Sequence, residues 1–158
     1  MNVVAVFEED YDPTYVNLTG YIEVESPNKS YKVSNCGLIK RVRSDNDIRF
    51  SLQGTTISGG TRKEFTPIKL YFNSGNYDSI SIFAVLEKIG AYSLNNGSLV
   101  IINKKTGEII PHEYGVYKNI TTGVTNIQVI TQSSSYLSYD YLKENCIQDI
   151  EIQIKFWD

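Results

Sequence analysis

Apolar and polar residues alternate along much of this chain with a period of two, the pattern of strands that bury one face. The C-terminal segment is the clearest case. In Ile150-Glu151-Ile152-Gln153-Ile154-Lys155-Phe156 every even position is apolar and every odd one polar. Residues 21–25 and 31–35 flank Ser26-Pro27-Asn28-Lys29-Ser30, whose turn-forming composition predicts a hairpin. Residues 99–102 and 108–110 flank Asn103-Lys104-Lys105-Thr106-Gly107, which suits a type I turn closed by glycine in the left-handed region. Further strands are expected around 49–53, 66–72, 114–119 and 126–132.

One segment departs from this period. Between 78 and 91 the apolar residues Ile82, Val85, Leu86 and Ile89 recur at three- and four-residue intervals, which predicts a single amphipathic helix. Asp78 or Ser79 would accept from its first-turn amides, and Gly90 would end it. Two polar stretches, 40–49 and 55–63, read as long loops, and loops of that length in a compact domain usually carry function. With no internal repeat, biased tail or linker, the pattern gives one domain over 1–158. Its class is mainly β, an antiparallel sandwich or barrel with one flanking α-helix.

Composition changes this picture little but narrows the function. The 158 residues are 41% hydrophobic and 21% charged, as in an ordinary globular domain with one core. The net charge of −3 lacks the basic excess from which nucleic-acid binders draw most of their affinity. The apolar start, Met1 to Phe7, meets Glu8, Glu9 and Asp10 at once, so no signal peptide is expected. No apolar run approaches the ~18 residues of a membrane span, so membrane insertion is not expected and a cytoplasmic site of synthesis is. Cys36 and Cys146 are far apart in sequence and are read as buried free thiols.

Candidate chemistry is thin. His112 is the only histidine, so a Ser/His or Cys/His mechanism would have to pass through it. It follows Pro111 in what reads as a surface loop. One histidine and two distant cysteines do not make a closed zinc site. Glu8, Glu9, Asp10 and Asp12 form an acidic cluster without the spacing of a calcium loop. Gly59-Gly60-Thr61-Arg62-Lys63 lacks both the spacing and the following helix of a phosphate-binding loop. No enzyme activity, cofactor or metal is therefore expected. Twelve tyrosines suit either stacking on sugars, as in a carbohydrate-binding sandwich, or half-buried positions at a protein interface.

Taken in order, several segments resemble the tail tube family of contractile-tailed bacteriophages. Tyr31-Lys32-Val33-Ser34-Asn35-Cys36 resembles the family's early strand before its long loop. Gly59-Gly60-Thr61-Arg62-Lys63-Glu64-Phe65 resembles the end of that loop. Leu70-Tyr71-Phe72-Asn73 with Asp78 and Phe83 resembles the next strand and the helix. Tyr139-Asp140 and the run from Ile147 through Glu151 to Trp157-Asp158 resemble the closing strand.

The resemblance implies a virion structural protein assembled in the host cytoplasm. Hexameric rings would stack into an inner tail tube that contacts sheath and baseplate proteins and passes DNA transiently. A baseplate or neck protein of the same fold is the alternative, and a carbohydrate-binding module the further one. On this resemblance the inter-ring contacts would come from Lys40, Arg41, Arg43, Asp45, Asp47, Arg49, Arg62 and Lys63. Ile150, Ile152, Ile154 and Phe156 would mark the ring-closing strand. The polar positions Glu151, Gln153 and Lys155 would face either the lumen or solvent.

Overall fold

The computed structural model describes residues 12, 14–25, 29–40, 48–71, 80–88, 94–130 and 137–158. These form two sheets that face each other across one hydrophobic core. The first sheet is organised by β1 (Tyr15–Glu25), which buries Val16, Leu18, Ile22 and Val24 on alternate positions. The alternating C-terminal segment is β11 (Asp149–Trp157), which runs parallel to β1 with Leu18 opposite Ile150 and Val24 opposite Phe156. On its other side β11 pairs with antiparallel β8 (Asn96–Asn103). The sheet is therefore mixed rather than wholly antiparallel. Parallel neighbours need a long crossover, and here the rest of the chain supplies it.

The second sheet contains β2 (Ser30–Lys40), β7 (Ile80–Lys88), β10 (Val124–Ile130) and β9 (Glu113–Asn119), in that order. The short strand β3 (Ile48–Arg49) pairs with β2, as does β4 (Thr56–Ser58). A bulge at Ser34 shifts the β2–β7 register, and the Ser34 hydroxyl donates to the Val85 carbonyl at 3.2 Å.

Back in the first sheet, β1 has two antiparallel partners on one edge, β5 (Thr61–Glu64) and β6 (Ile68–Tyr71). The Gly59-Gly60 turn between β4 and β5 carries the chain from one sheet to the other, with Gly60 at a φ of 79°. Phe50 and Phe65 stack inside this crossing with centroids 4.5 Å apart.

Three expectations are corrected. Residues 80–88 of the expected 78–91 helix form strand β7, at the centre of the second sheet. Ile80, Ile82, Ala84 and Leu86 point into the core, while Phe83 on the opposite face is nearly buried too. A strand apolar on both faces presents residues at three- and four-residue intervals as readily as at two, and periodicity alone does not separate the readings. Residues 78, 79 and 89–91 lie outside the described residues.

Among the described residues the helix is instead α1 (Tyr139–Glu144). The Ser138 side chain caps it by accepting from the Tyr141 amide at 3.1 Å, and Leu142 anchors it in the core. The second correction concerns 21–25 and 31–35. They belong to different sheets, 21–25 to β1 beside β11 and 31–35 to β2 beside β7, and are not a hairpin. The third is the 55–63 loop, which contains β4 and the start of β5.

The other hairpin is present in reduced form. Gly107 has a φ of 77°, its amide donates to the Asn103 carbonyl at 2.7 Å, and Ile109 bridges back to Ile102.

Candidate functional site

The sequence-derived candidate residues do not form one cluster. Lys40 ends β2, and Arg41, Arg43, Asp45 and Asp47 lie outside the described residues. Arg49 sits on β3 opposite Gly37, bonds the Asn35 side chain, and lies 5.8 Å over the Phe83 ring on the outer face of the second sheet. Arg62 sits on β5 opposite Glu23, on the outer face of the first sheet. It donates to Glu64 at 2.8 Å and stacks 3.7 Å over Tyr21. Lys63 beside it is exposed. Two of the expected inter-ring residues thus occupy opposite sides of the subunit.

Ile150, Ile152, Ile154 and Phe156 are fully buried, and β11 is paired on both edges within the chain. They belong to the subunit's own core. A strand already hydrogen-bonded on both sides offers no edge to a neighbour, so ring closure through these four residues is corrected.

Glu151, Gln153 and Lys155 stand on the open face of the first sheet. Gln153 donates to Glu151 at 2.8 Å, and Lys155 pairs with Glu25 at 2.8 Å and Glu23 at 3.6 Å. Lys69 on the same face lies 4.4 Å over the Tyr15 ring. Each of Arg62, Lys69 and Lys155 therefore has a partner on this face.

The site that sequence reading missed is an edge. β9 pairs with β10 on one side only, and among the described residues its other side has no strand partner. It is exposed over most of its length, and the loop after it carries Ile120. Tyr114, Tyr117 and Ile120 are 39%, 50% and 82% exposed. Soluble proteins usually blunt such edges with charge, proline or a covering segment. The sequence signal was present in the large apolar residues among polar ones between 113 and 120. Only the sheet order shows that this strand is terminal.

The neighbouring edge of the first sheet is covered. After the turn at Gly107, residues 108–112 lie against the outer edge of β8. The Asn103 amide donates to the Glu108 carbonyl at 2.8 Å, and the Ile110 amide to the Ile101 carbonyl at 2.8 Å. His112 ends this strap half-buried, both ring nitrogens against main-chain carbonyls. It is not the free surface histidine expected.

Among the described residues, no group of three His, Cys, Asp or Glu side chains is placed to hold a metal. No helix there is long and apolar enough to cross a membrane. Of the acidic cluster, only Asp12 is described. Its carboxylate accepts from the Thr14 amide at 3.0 Å and hydroxyl at 2.7 Å, and these bonds hold it below the usual carboxylate range.

The cysteines are free thiols in unlike settings. Cys36 is buried in β2, and Cys146 is half-buried after α1 at a φ of 53°. Burial pushes the Cys36 thiol up to about 12, with the Arg49 charge acting weakly the other way. The thiolate is the reactive form, so Cys36 is expected to stay unmodified by a disulfide reagent until the protein unfolds. Cys146 should react first. Peptide mapping after brief labelling would refute this if both residues were modified at equal rates.

Comparison with protein-family models, curated proteins and solved structures found no match.

Proposed function

We propose that this chain is a non-enzymatic structural subunit that joins copies of itself through exposed sheet edges. In keeping with the resemblance in its sequence, it builds rings, six-fold in the simplest case, that stack into the inner tube of a contractile phage tail. The observation that carries the reading is β9, a seven-residue strand with no strand partner on its outer side among the described residues, which carries exposed Tyr114 and Tyr117 and is followed by exposed Ile120. Continuing a sheet into a neighbour satisfies the edge's backbone groups and buries these apolar side chains. A head-to-tail contact that closes by rotation gives a ring.

The open face of the first sheet supports a conduit as well. Its cations are held by carboxylates or rings, and net charge is negative, so a DNA chain passing over it would release few counterions and bind weakly.

Negative-stain electron microscopy across a concentration series tests this directly. Hollow rings or tubes of uniform width are expected, and a single ring without stacking would favour the baseplate or neck form. A persistent monomer at high concentration would overturn self-assembly. Tyr117→Lys together with Ile120→Lys places charge on the edge. The pair is expected to abolish rings while changing folding stability by no more than about 1 kcal/mol, since both positions are exposed. Rings that persist in the double variant would remove β9 from the interface.

A further inference from the structure

β9 is the longest uninterrupted open edge among the described residues, and the other edges are broken or covered. β5 and β6 border β1 as two four-residue strands, separated by residues 65–67 with Pro67 between them. β3 and β4 border β2 as strands of two and three residues, separated by 50–55. The free side of β8 carries the 108–112 strap. β9 offers a partner seven consecutive residues of backbone.

The strand that matches it in length and side chains is β9 itself. Laid antiparallel about a two-fold axis, two copies overlap along all seven residues when Val116 faces Val116. Glu113 then faces Asn119, Tyr114 faces Lys118, and Gly115 faces Tyr117. Facing residues share one side of a sheet with their Cβ atoms about 4.5–5.5 Å apart, so like charges placed opposite each other would disfavour the pairing. None meet in this register. Tyr114 is exposed, and the exposed Lys118, which bonds the Asn95 side chain, has further ammonium protons to set against a tyrosine ring. Gly115 has no side chain to crowd the facing Tyr117. Its own strand already uses that space, since a Cβ on Gly115 would stand 2.6 Å from the Tyr117 hydroxyl. The two glycines thus give the two rings room near the centre of that face.

We propose that β9 is a two-fold docking strand that pairs antiparallel with β9 of a second copy, in the register centred on Val116. The second sheet then runs through both subunits without a break. The pairing satisfies the backbone groups of both edges and partly covers Tyr114 and Tyr117. Two seven-residue strands make an interface that is small beside the roughly 1,200 Å² of a stable complex, so the pair is weak and reversible. It caps the edge in the free subunit and separates before β9 enters a ring. That consequence rests on the self-assembly reading above; the pairing itself does not.

Sedimentation of the whole chain over about 1–300 µM tests the proposal, with a reversible monomer–dimer equilibrium expected. Tyr114→Lys places a lysine opposite Lys118 twice in each dimer and should weaken it about tenfold or more. Tyr114→Glu places a carboxylate there and should dimerise at least as tightly as wild type. The chain's net charge of −3 predicts the reverse order, because the lysine lowers and the glutamate raises the repulsion between two copies. The reverse order, or equal affinities, overturns the register.

Cross-linking gives a second reading that does not depend on the Tyr114 variants folding. In a Cys146→Ser background, Val116→Cys should form a covalent dimer on mild oxidation, because only residue 116 meets its own copy within disulfide reach. Asn119→Cys should not, since the two 119 positions stand about 20 Å apart. Cross-linking of 119 without 116 overturns the proposal. So does a monomer at every concentration. Slow exchange of alternate 113–119 amides in that monomer would identify a segment of the same chain as the cover, and fast exchange would leave the edge to a different partner.

The two proposals fail separately. Dimers that never give rings in the microscope keep the pairing and remove the tube reading. Rings that grow from a subunit that never dimerises overturn the pairing and leave the tube reading standing.

Discussion

Gly20→Ala is expected to destabilise the subunit by about 3 kcal/mol or more, combining local strain with an overpacked contact. Gly20 lies in β1 directly opposite Ile152 of β11. A Cβ there would stand 2.0 Å from the Ile152 carbonyl oxygen and 2.9 Å from its amide nitrogen. Both obstructing atoms are backbone, so no side-chain rotation relieves the clash. β11 is also held by β8 on its far side and has nowhere to retreat.

The close approach has a structural purpose. β1 pairs with β6 through Leu18 and with β5 from Tyr21, and Gly20 sits at the change of partner, its carbonyl accepting from the Phe65 amide at 2.7 Å. Urea unfolding of wild type and variant measures the loss from the midpoint and slope. A difference under about 1 kcal/mol would mean that β11 yields far more easily than its pairing implies.

Phe50→Ala is expected to cost about 3–5 kcal/mol, the range for removing a buried ring. Phe50 is fully buried and stacks on Phe65 at an interplanar angle of 16°. Phe50 follows β3 of the second sheet, and Phe65 follows β5 of the first, so the pair clamps the crossing at which the chain changes sheets. The Phe50 amide also donates to the Cys36 carbonyl at 3.3 Å, which leaves the alanine backbone in place while the ring's space stays empty. Phe50→Leu, which refills part of that volume, should recover more than half of the loss. Thermal and urea unfolding of both variants check this. Equal losses for alanine and leucine would show that the ring's stacking geometry, and not its volume, is what the site requires.

Both predictions concern the subunit as a folded unit, while the β9 variant addresses what the folded unit does. That separation is useful experimentally. A variant that loses rings but keeps its unfolding midpoint reports on the edge, whereas Gly20→Ala and Phe50→Ala lose both together.

The fold class was legible in the residues because a half-buried strand writes its geometry into a period of two. Ile150 to Phe156 and the Asn103–Gly107 turn are local patterns, set by side-chain alternation and by glycine's tolerance of positive φ, and both stand where the sequence places them. The same local rules left 80–88 ambiguous, since a central strand that is apolar on both faces satisfies a helical stripe as well. The 139–144 helix was not expected, because a helix as short as α1 has too few apolar positions for periodicity to register.

Which strands neighbour which was decided only by tertiary structure. Pairing is a contact between segments distant in sequence, and no local pattern encodes it. β1 and β11 come from the two ends of the described chain, yet they lie side by side. That pairing turned Ile150, Ile152, Ile154 and Phe156 from an expected assembly seam into core, while the crossing between the sheets at Gly59-Gly60 put Arg49 and Arg62 on opposite faces. The order of the second sheet made β9 terminal. The sequence by itself determined that the chain would form strands with one buried face. The packing of those strands determined which edge was left open, because an edge is defined only by the absence of a neighbour.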